Sequence, residues 1–328
     1  MKANAEQQQR LYAKLCRELG PSTLAALADP DVTEVMCNPD GALWVESHGR
    51  GMRDIGDRLT EIQAESLIGT VAALLGTVVH RGTPIIEGEL PINGHRFEGI
   101  LPPVSTAPTF VIRKCASQIY ALDDYVTAGI LTATQQAVLL DAVRERRNIV
   151  VAGGTASGKT TLANALMREI VALGDPTERI VILEDTRELR CESRNAVQLH
   201  TGDVADLTRL VRVTMRLRPD RIIVGEVRGG EALALLKAWN TGHPGGITTV
   251  HANSAAAALL RLDSLIQESG APPQPRLVVE TVDLVVFIVR TTEGRRVREL
   301  ARVHAYDVAQ GRYVLEPVCP LPKEVEHA

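Results

Sequence analysis

Residues Asn148 to Thr161 read NIVVAGGTASGKTT, and this stretch decides the fold. Its first part, Asn148–Ala152, is a short apolar run rich in β-branched residues, too brief for a helix and suited to a buried strand. The second part, Gly153-Gly154-Thr155-Ala156-Ser157-Gly158-Lys159-Thr160, fits G-x-x-x-x-G-K-[ST]. Directly behind it, TTLANALMREIV is spaced like a helix. Strand, glycine-rich loop and helix in that order predict a phosphate-binding P-loop. The glycines let backbone N–H groups turn inward around a β-phosphate, and the helix N-terminus adds partial positive charge. Lys159 is expected on the β- and γ-phosphates and the Thr160 hydroxyl on Mg²⁺. With Thr161 these residues make up the expected nucleotide-binding set, Gly153 to Thr161. No N-K-x-D base-reading motif occurs, so the expected nucleotide is ATP rather than GTP.

Downstream, strands are predicted at Arg179–Glu184, Arg221–Gly225, Gly246–His251 and Asp283–Val289, with helical stretches between them. That alternation is the signature of a parallel sheet covered by helices. VRELARVHAYD and RYVLEPV add a small β ending. A P-loop enzyme also needs a carboxylate to activate water and a second anchor for Mg²⁺. RIIVGE ends in Glu226, the expected water-activating base, with Gly225 where a metal-binding Asp commonly sits. The replacement anchor is sought among Glu184, Asp185 and Glu188, at and beyond the end of VILED. TGHPGGITTVHA carries His243 and His251 at its two ends. His251 is placed near Glu226, to sense the γ-phosphate or hold the water, and His243 toward a neighbouring subunit. Arg209, Arg212 and Arg216 recur at helical spacing and read as a solvated helix face.

Upstream the character changes. Up to about residue 115, short alternating segments such as ALWVES and HRFEGIL are separated by Pro39-Asp40-Gly41 and Asn93-Gly94 turns. One helix is predicted from Thr60 to Val79. The expected architecture is an α+β N-terminal domain (1–115), a connector (116–124) and a P-loop α/β domain (125–328).

Composition narrows the function. The net charge of −4 argues against a constitutively basic nucleic-acid coat. Aromatic residues are 3%, too few for a base-stacking platform, so no sequence-specific nucleic-acid binding is expected. The five cysteines form no CxxC pair, which disfavours a structural zinc site and favours a reducing compartment. MKANAEQQQR has no apolar signal core, and the longest stretch free of Asp, Glu, Lys and Arg, Ala238–Leu260, is too polar to span a membrane. The expected location is the cytoplasm, with at most peripheral membrane attachment.

Four boxes therefore stand in order: GGTASGKTT, VILEDTREL, RPDRIIVGEVR and TGHPGGITTVHAN. Together they resemble the Walker A, Asp box, Walker B and His box of the secretion (traffic) ATPases, and their wording is similar to the type IV secretion branch. The absence of the paired CxxC motifs of type II relatives, and of the AIRNLI-like segment of pilus-retraction relatives, points the same way. The resemblance implies that 125–328 is a RecA-like ATPase domain, and that the protein forms a homo-hexameric ring at the inner-membrane face of a conjugation or secretion machine, powering pilus assembly or DNA or protein transfer. It also implies that N-terminal-domain arginines, at the positions of Arg96 and Arg113, approach the nucleotide phosphates, and it matches Arg228 to a GE-x-R pattern of less defined role. A RecA-like DNA translocase or helicase, and an assembly platform gated by nucleotide binding alone, are the alternatives.

Overall fold

The computed structural model describes residues 2–47, 49–115, 119–202 and 204–318. The chain divides into two compact units, Met1–Ser117 and Gln118–Ala328.

In the first unit, helix α1 (Lys2–Ala28) is broken at Gly20, where φ is 70°, immediately before Pro21. Strands β1 (Val32–Cys37), β2 (Ala42–Ser47) and β3 (Gly51–Arg58) follow, then α2 (Glu61–Leu74), β4 (Ile85–Glu89), β5 (Arg96–Ile100) and β6 (Thr109–Arg113). The strands form one antiparallel sheet in the order β3-β2-β1-β6-β5-β4. Leu15 and Leu19 of α1 and Leu67, Ile68 and Val71 of α2 share a core with Val35, Val45, Phe97, Phe110 and Ile112 of the sheet. Trp44 sits half-buried on β2. Helix α2 starts where the sequence predicts, with Thr60 and Gln63 forming a reciprocal capping box. It ends at Leu74 rather than at Val79, because Gly76 turns left-handed at φ 74° and stops the helix.

The second unit opens with α3 (Leu122–Thr127), whose first turn occupies the end of the expected connector, and α4 (Ala133–Arg144). Residues 116–118 of that connector lie outside the described residues. The sheet is then built by β7 (Ile149–Gly153), α5 (Lys159–Leu173), β8 (Ile180–Glu184), β9 (Ala196–His200), α6 (Leu207–Thr214) and β10 (Arg221–Val224). It is completed by α7 (Glu231–Asn240), β11 (Ile247–His251), α8 (Ala255–Glu268), α9 (Pro275–Thr281), β12 (Leu284–Thr291), β13 (Gly294–Asp307) and β14 (Arg312–Pro317). The strand order is β14-β13-β12-β7-β11-β10-β8-β9. All are parallel from β12 to β9, and β13 and β14 extend the sheet antiparallel. Side chains alternate between two cores. Val150, Ala152, Val181, Leu183, Ile222 and Val224 face α6, α7, α8 and α9, while Ile149, Val151, Ile180, Ile182 and Ile223 face α3, α4 and α5. Strand β9 lies beyond the strands the sequence predicts. No helix among the described residues is long and apolar enough to cross a membrane.

The entry ends of the strands are locked by buried polar groups. Asn148 Oδ1 accepts the N–H groups of Gly245 and Gly246, both at 2.9 Å, and its Nδ2 donates to Thr281 O at 2.7 Å. Arg221 is buried, donating from Nε to Glu178 at 2.7 Å and from its terminal nitrogens to Gly245 O and Val143 O. The buried Trp239 indole donates to Ile222 O at 2.9 Å, and any side chain on Gly246 would collide with its ring. These ties fix the register of β7, β10, β11 and β12, whose opposite ends carry the chemistry.

Candidate active site

Strand β7 is buried throughout and delivers the chain into the glycine loop. A Cβ on Gly153 would stand 2.4 Å from Ile288 O and 2.5 Å from Ser157 Oγ, so only glycine fits. Gly158 is the N-cap of α5 at φ 100°, a conformation that favours glycine, and no side chain caps the helix there. The first turn of α5 thus offers its N–H groups to a ligand. Lys159 is almost wholly buried and folds back to donate to Gly153 O at 3.0 Å and Gly154 O at 2.9 Å. Burial holds its ammonium below the usual lysine range, against the opposing charges of Glu226 and Glu188. The Ser157 hydroxyl is buried without a hydrogen-bond partner among the described residues. An orphaned donor inside a cradle that a single Cβ would fill fits a phosphate oxygen.

Pairing places His251 of β11 opposite Gly153 of β7, and β10 lies on the far side of β11. Glu226 follows β10, and its Oε1 lies 2.9 Å from His251 Nε2. His251 Nδ1 lies 3.3 Å from Lys159 Nζ. Burial, then the Lys159 charge, push the His251 pKa down, with Glu226 opposing. The approach of His251 to Glu226 is a close polar contact rather than a hydrogen bond, since Glu226 Oε1 is buried without a hydrogen-bond partner among the described residues, and Lys159 Nζ also lies 3.4 Å from His251 Nε2. Arg228 grips the other carboxylate oxygen of Glu226 through Nε at 2.7 Å and a terminal nitrogen at 2.5 Å. Its backbone N–H is held at 2.6 Å by Glu231, the first residue of α7. The structure therefore brings Lys159, Glu226 and His251 into one contact chain.

The acids at and beyond the end of β8 play different parts. Glu184 is buried, and its Oε1 accepts the backbone N–H groups of Glu188 and Leu189 at 3.0 and 2.7 Å. Its Cγ would stand 3.1 Å from a Cβ on Gly225, so Glu184 occupies the room that a side chain at 225 would need. Asp185 is exposed, accepts from Thr201 Oγ1 at 2.9 Å, and lies 3.9 Å from an Arg228 nitrogen. Glu188 is half-buried and close enough to influence Lys159 electrostatically. Among the described residues, no group of three or more His, Cys, Asp or Glu side chains converges as a metal cage. This donor set suits a Mg²⁺ ion whose ligands come mainly from phosphate and water.

Residues 18–317 match the family described as type II/IV secretion system protein. The chain belongs to that family. Among its relatives, a probable conjugal transfer protein TrbB of Sinorhizobium fredii is 52% identical, with 94% of this chain and 93% of that one covered. The type IV secretion system protein PtlH of Bordetella pertussis is 34% identical over 83% of this chain and 89% of that one. In fold, the secretion-family chain is similar to the X-ray structure of the Legionella pneumophila ATPase DotB, with a TM-score of 0.62 and 23% identity over 85% of this chain and 79% of that one.

The remaining residues of interest in this secretion-family protein are arginines. In the first unit, Arg96 of β5 pairs directly with Arg113 of β6. Like charges opposite one another oppose pairing, and the neighbouring Glu34 relieves part of this through Oε1, 2.6 Å from Arg113 Nε. Arg228 takes a definite position that its sequence pattern leaves open. Arg295, absent from the sequence reading, lies against Gly158 of the phosphate loop. No local pattern marks it, because the contact joins a hairpin tip to a loop far away in the chain. His243, expected toward another subunit, has its Nδ1 2.8 Å from Pro219 O at the strand-entry end. Arg209, Arg212 and Arg216 are exposed on and just beyond α6, as a solvated face requires.

Proposed function

We propose that the protein is an ATP-hydrolysing motor of a type IV secretion or conjugative-transfer apparatus. The observation that carries this reading is the contact chain Lys159–His251–Glu226 beside an uncapped P-loop, in a chain half identical to a conjugal transfer protein. Lys159 would leave the Gly153 and Gly154 carbonyls for the β- and γ-phosphates, and the N–H groups opening α5 would line the phosphate path. Thr160 would hold Mg²⁺, with Asp185 or Glu188 reaching it directly or through water; bound there, the metal would neutralise developing phosphate charge. Glu226 would accept the proton of the attacking water, and His251 would fix the carboxylate's orientation from the other side.

The same reading makes Arg96 and Arg113 the cations that approach the nucleotide from the N-terminal unit. Two arginines kept side by side against their mutual repulsion suit a bound anion better than a solvated strand face. The assembly is a homo-hexameric ring, held peripherally at the inner-membrane face against other components of the machine, with hydrolysis driving domain movement for pilus assembly or substrate transfer. Glu226→Gln tests the chemistry. It should bind ATP as the parent does and turn it over at least ~10²-fold more slowly, measured by nucleotide titration and phosphate release. Loss of binding would instead make Glu226 a metal or structural anchor.

A further inference from the structure

The γ-phosphate machinery lies on one flank of β7, where β11 and β10 end. On the other flank stands β12, whose pairing puts Phe287 opposite Ala152, so the rest of the β12–β13 hairpin overruns the end of β7 beside the phosphate loop. On the P-loop reading, a nucleotide with its terminal phosphate toward Glu226 would leave its nucleoside end on the flank where this hairpin stands.

Arg295 is the residue the hairpin presents there. Its Cδ and Nε lie 2.9 and 3.2 Å from where a Cβ on Gly158 would stand, so its stem runs closely along the loop glycine. Its Nε is buried without a hydrogen-bond partner, and it makes no ion pair among the described residues. The side chain as a whole is half-buried, leaving part of the guanidinium accessible. Two residues on, Val297 N–H donates to Ile130 O at 2.8 Å and Val297 O accepts from Gln135 Nε2, which seats the strand on the α3–α4 corner. An uncompensated, planar cation on a fixed strand beside a phosphate cradle is placed for a ligand rather than for the fold.

We propose that Arg295 is a nucleobase-binding residue: its stem braces on Gly158 and its guanidinium plane covers the face of the purine. The inference rests on the P-loop reading and adds the contact that distinguishes a nucleoside diphosphate from bare pyrophosphate. The test is calorimetric titration of the full chain, as the parent, Arg295→Ala and Arg295→Lys, with ADP and with inorganic pyrophosphate. Losing a base–cation stack should weaken ADP by about tenfold in Arg295→Ala and leave pyrophosphate unchanged. Arg295→Lys keeps the charge and most of the stem but not the plane, and should lose most of the same factor. Unchanged ADP affinity, an equal loss for pyrophosphate, or full rescue by lysine would overturn the assignment. A parent chain that binds neither probe would overturn the P-loop reading as well.

Discussion

His251 stands between an ammonium and a carboxylate, and that position sets its protonation state. Its folded pKa is depressed, first by burial and then by Lys159. As pH falls below the ordinary histidine value, the unfolded chain takes up this proton before the folded one, so acidification favours unfolding. Without nucleotide, His251→Gln should therefore lose less melting temperature than the parent between about pH 7.5 and about pH 5.5, around the ordinary histidine pKa. Calorimetry at both pH values would show it, and equal losses would remove His251 from the acid response. The acids at and beyond the end of β8 should separate in the same spirit. Glu184→Ala frees two backbone N–H groups inside the structure and should lower stability. Asp185→Ala and Glu188→Ala should instead raise the Mg²⁺ needed for half-maximal turnover, read from metal titrations of ATPase rate. Lys159, Glu226 and His251 were legible because each closes a short local motif. Arg295 was not, since its meaning arises only when a hairpin closes on the loop.

Elements were readable where burial imposes a pattern. Strands β7, β8 and β10 are buried on both faces, and their central residues Ile149–Ala152, Ile180–Leu183 and Ile222–Val224 read as apolar runs. Strand β9 is a partly exposed edge with AVQLH as its whole length, and that offers neither a run nor a clean alternation. The sequence of Asn148 says only that a polar residue precedes a strand, yet its side chain joins β7 to the start of β11 and the end of α9. Asn148→Ala leaves two N–H groups and a carbonyl unpaired in a buried place, and should cost about 2–4 kcal/mol in denaturant unfolding. A change under ~0.5 kcal/mol, the level of a neutral surface substitution, would mean that the strand ends rearrange to satisfy themselves. Activity should fall with it in native conditions, because Asn148 sets the register that puts His251 opposite Gly153.

At the scale of the molecule, the sequence separates an antiparallel α+β unit from a parallel α/β unit, since their strands differ in burial on one face or two. How subunits meet is not written in either pattern, so the ring enters through the proposed function. Its test is complementation. If the arginines act across a subunit boundary, an Arg96→Ala/Arg113→Ala chain mixed with a Lys159→Ala chain should regain part of the ATPase activity that each lacks alone. A mixture as inactive as its components would place the arginines in their own subunit, and sizing with ATP would check for six copies. The two units also differ in a way that can be watched directly. The chain has two tryptophans, Trp44 on β2 and Trp239 on α7, one in each unit. Trp239 is enclosed and hydrogen-bonded to β10, whereas Trp44 is partly open to water. Each unit therefore carries its own fluorophore, and Trp44→Phe leaves the emission of the nucleotide-binding half alone, a built-in optical reporter on the strand that leads to Glu226.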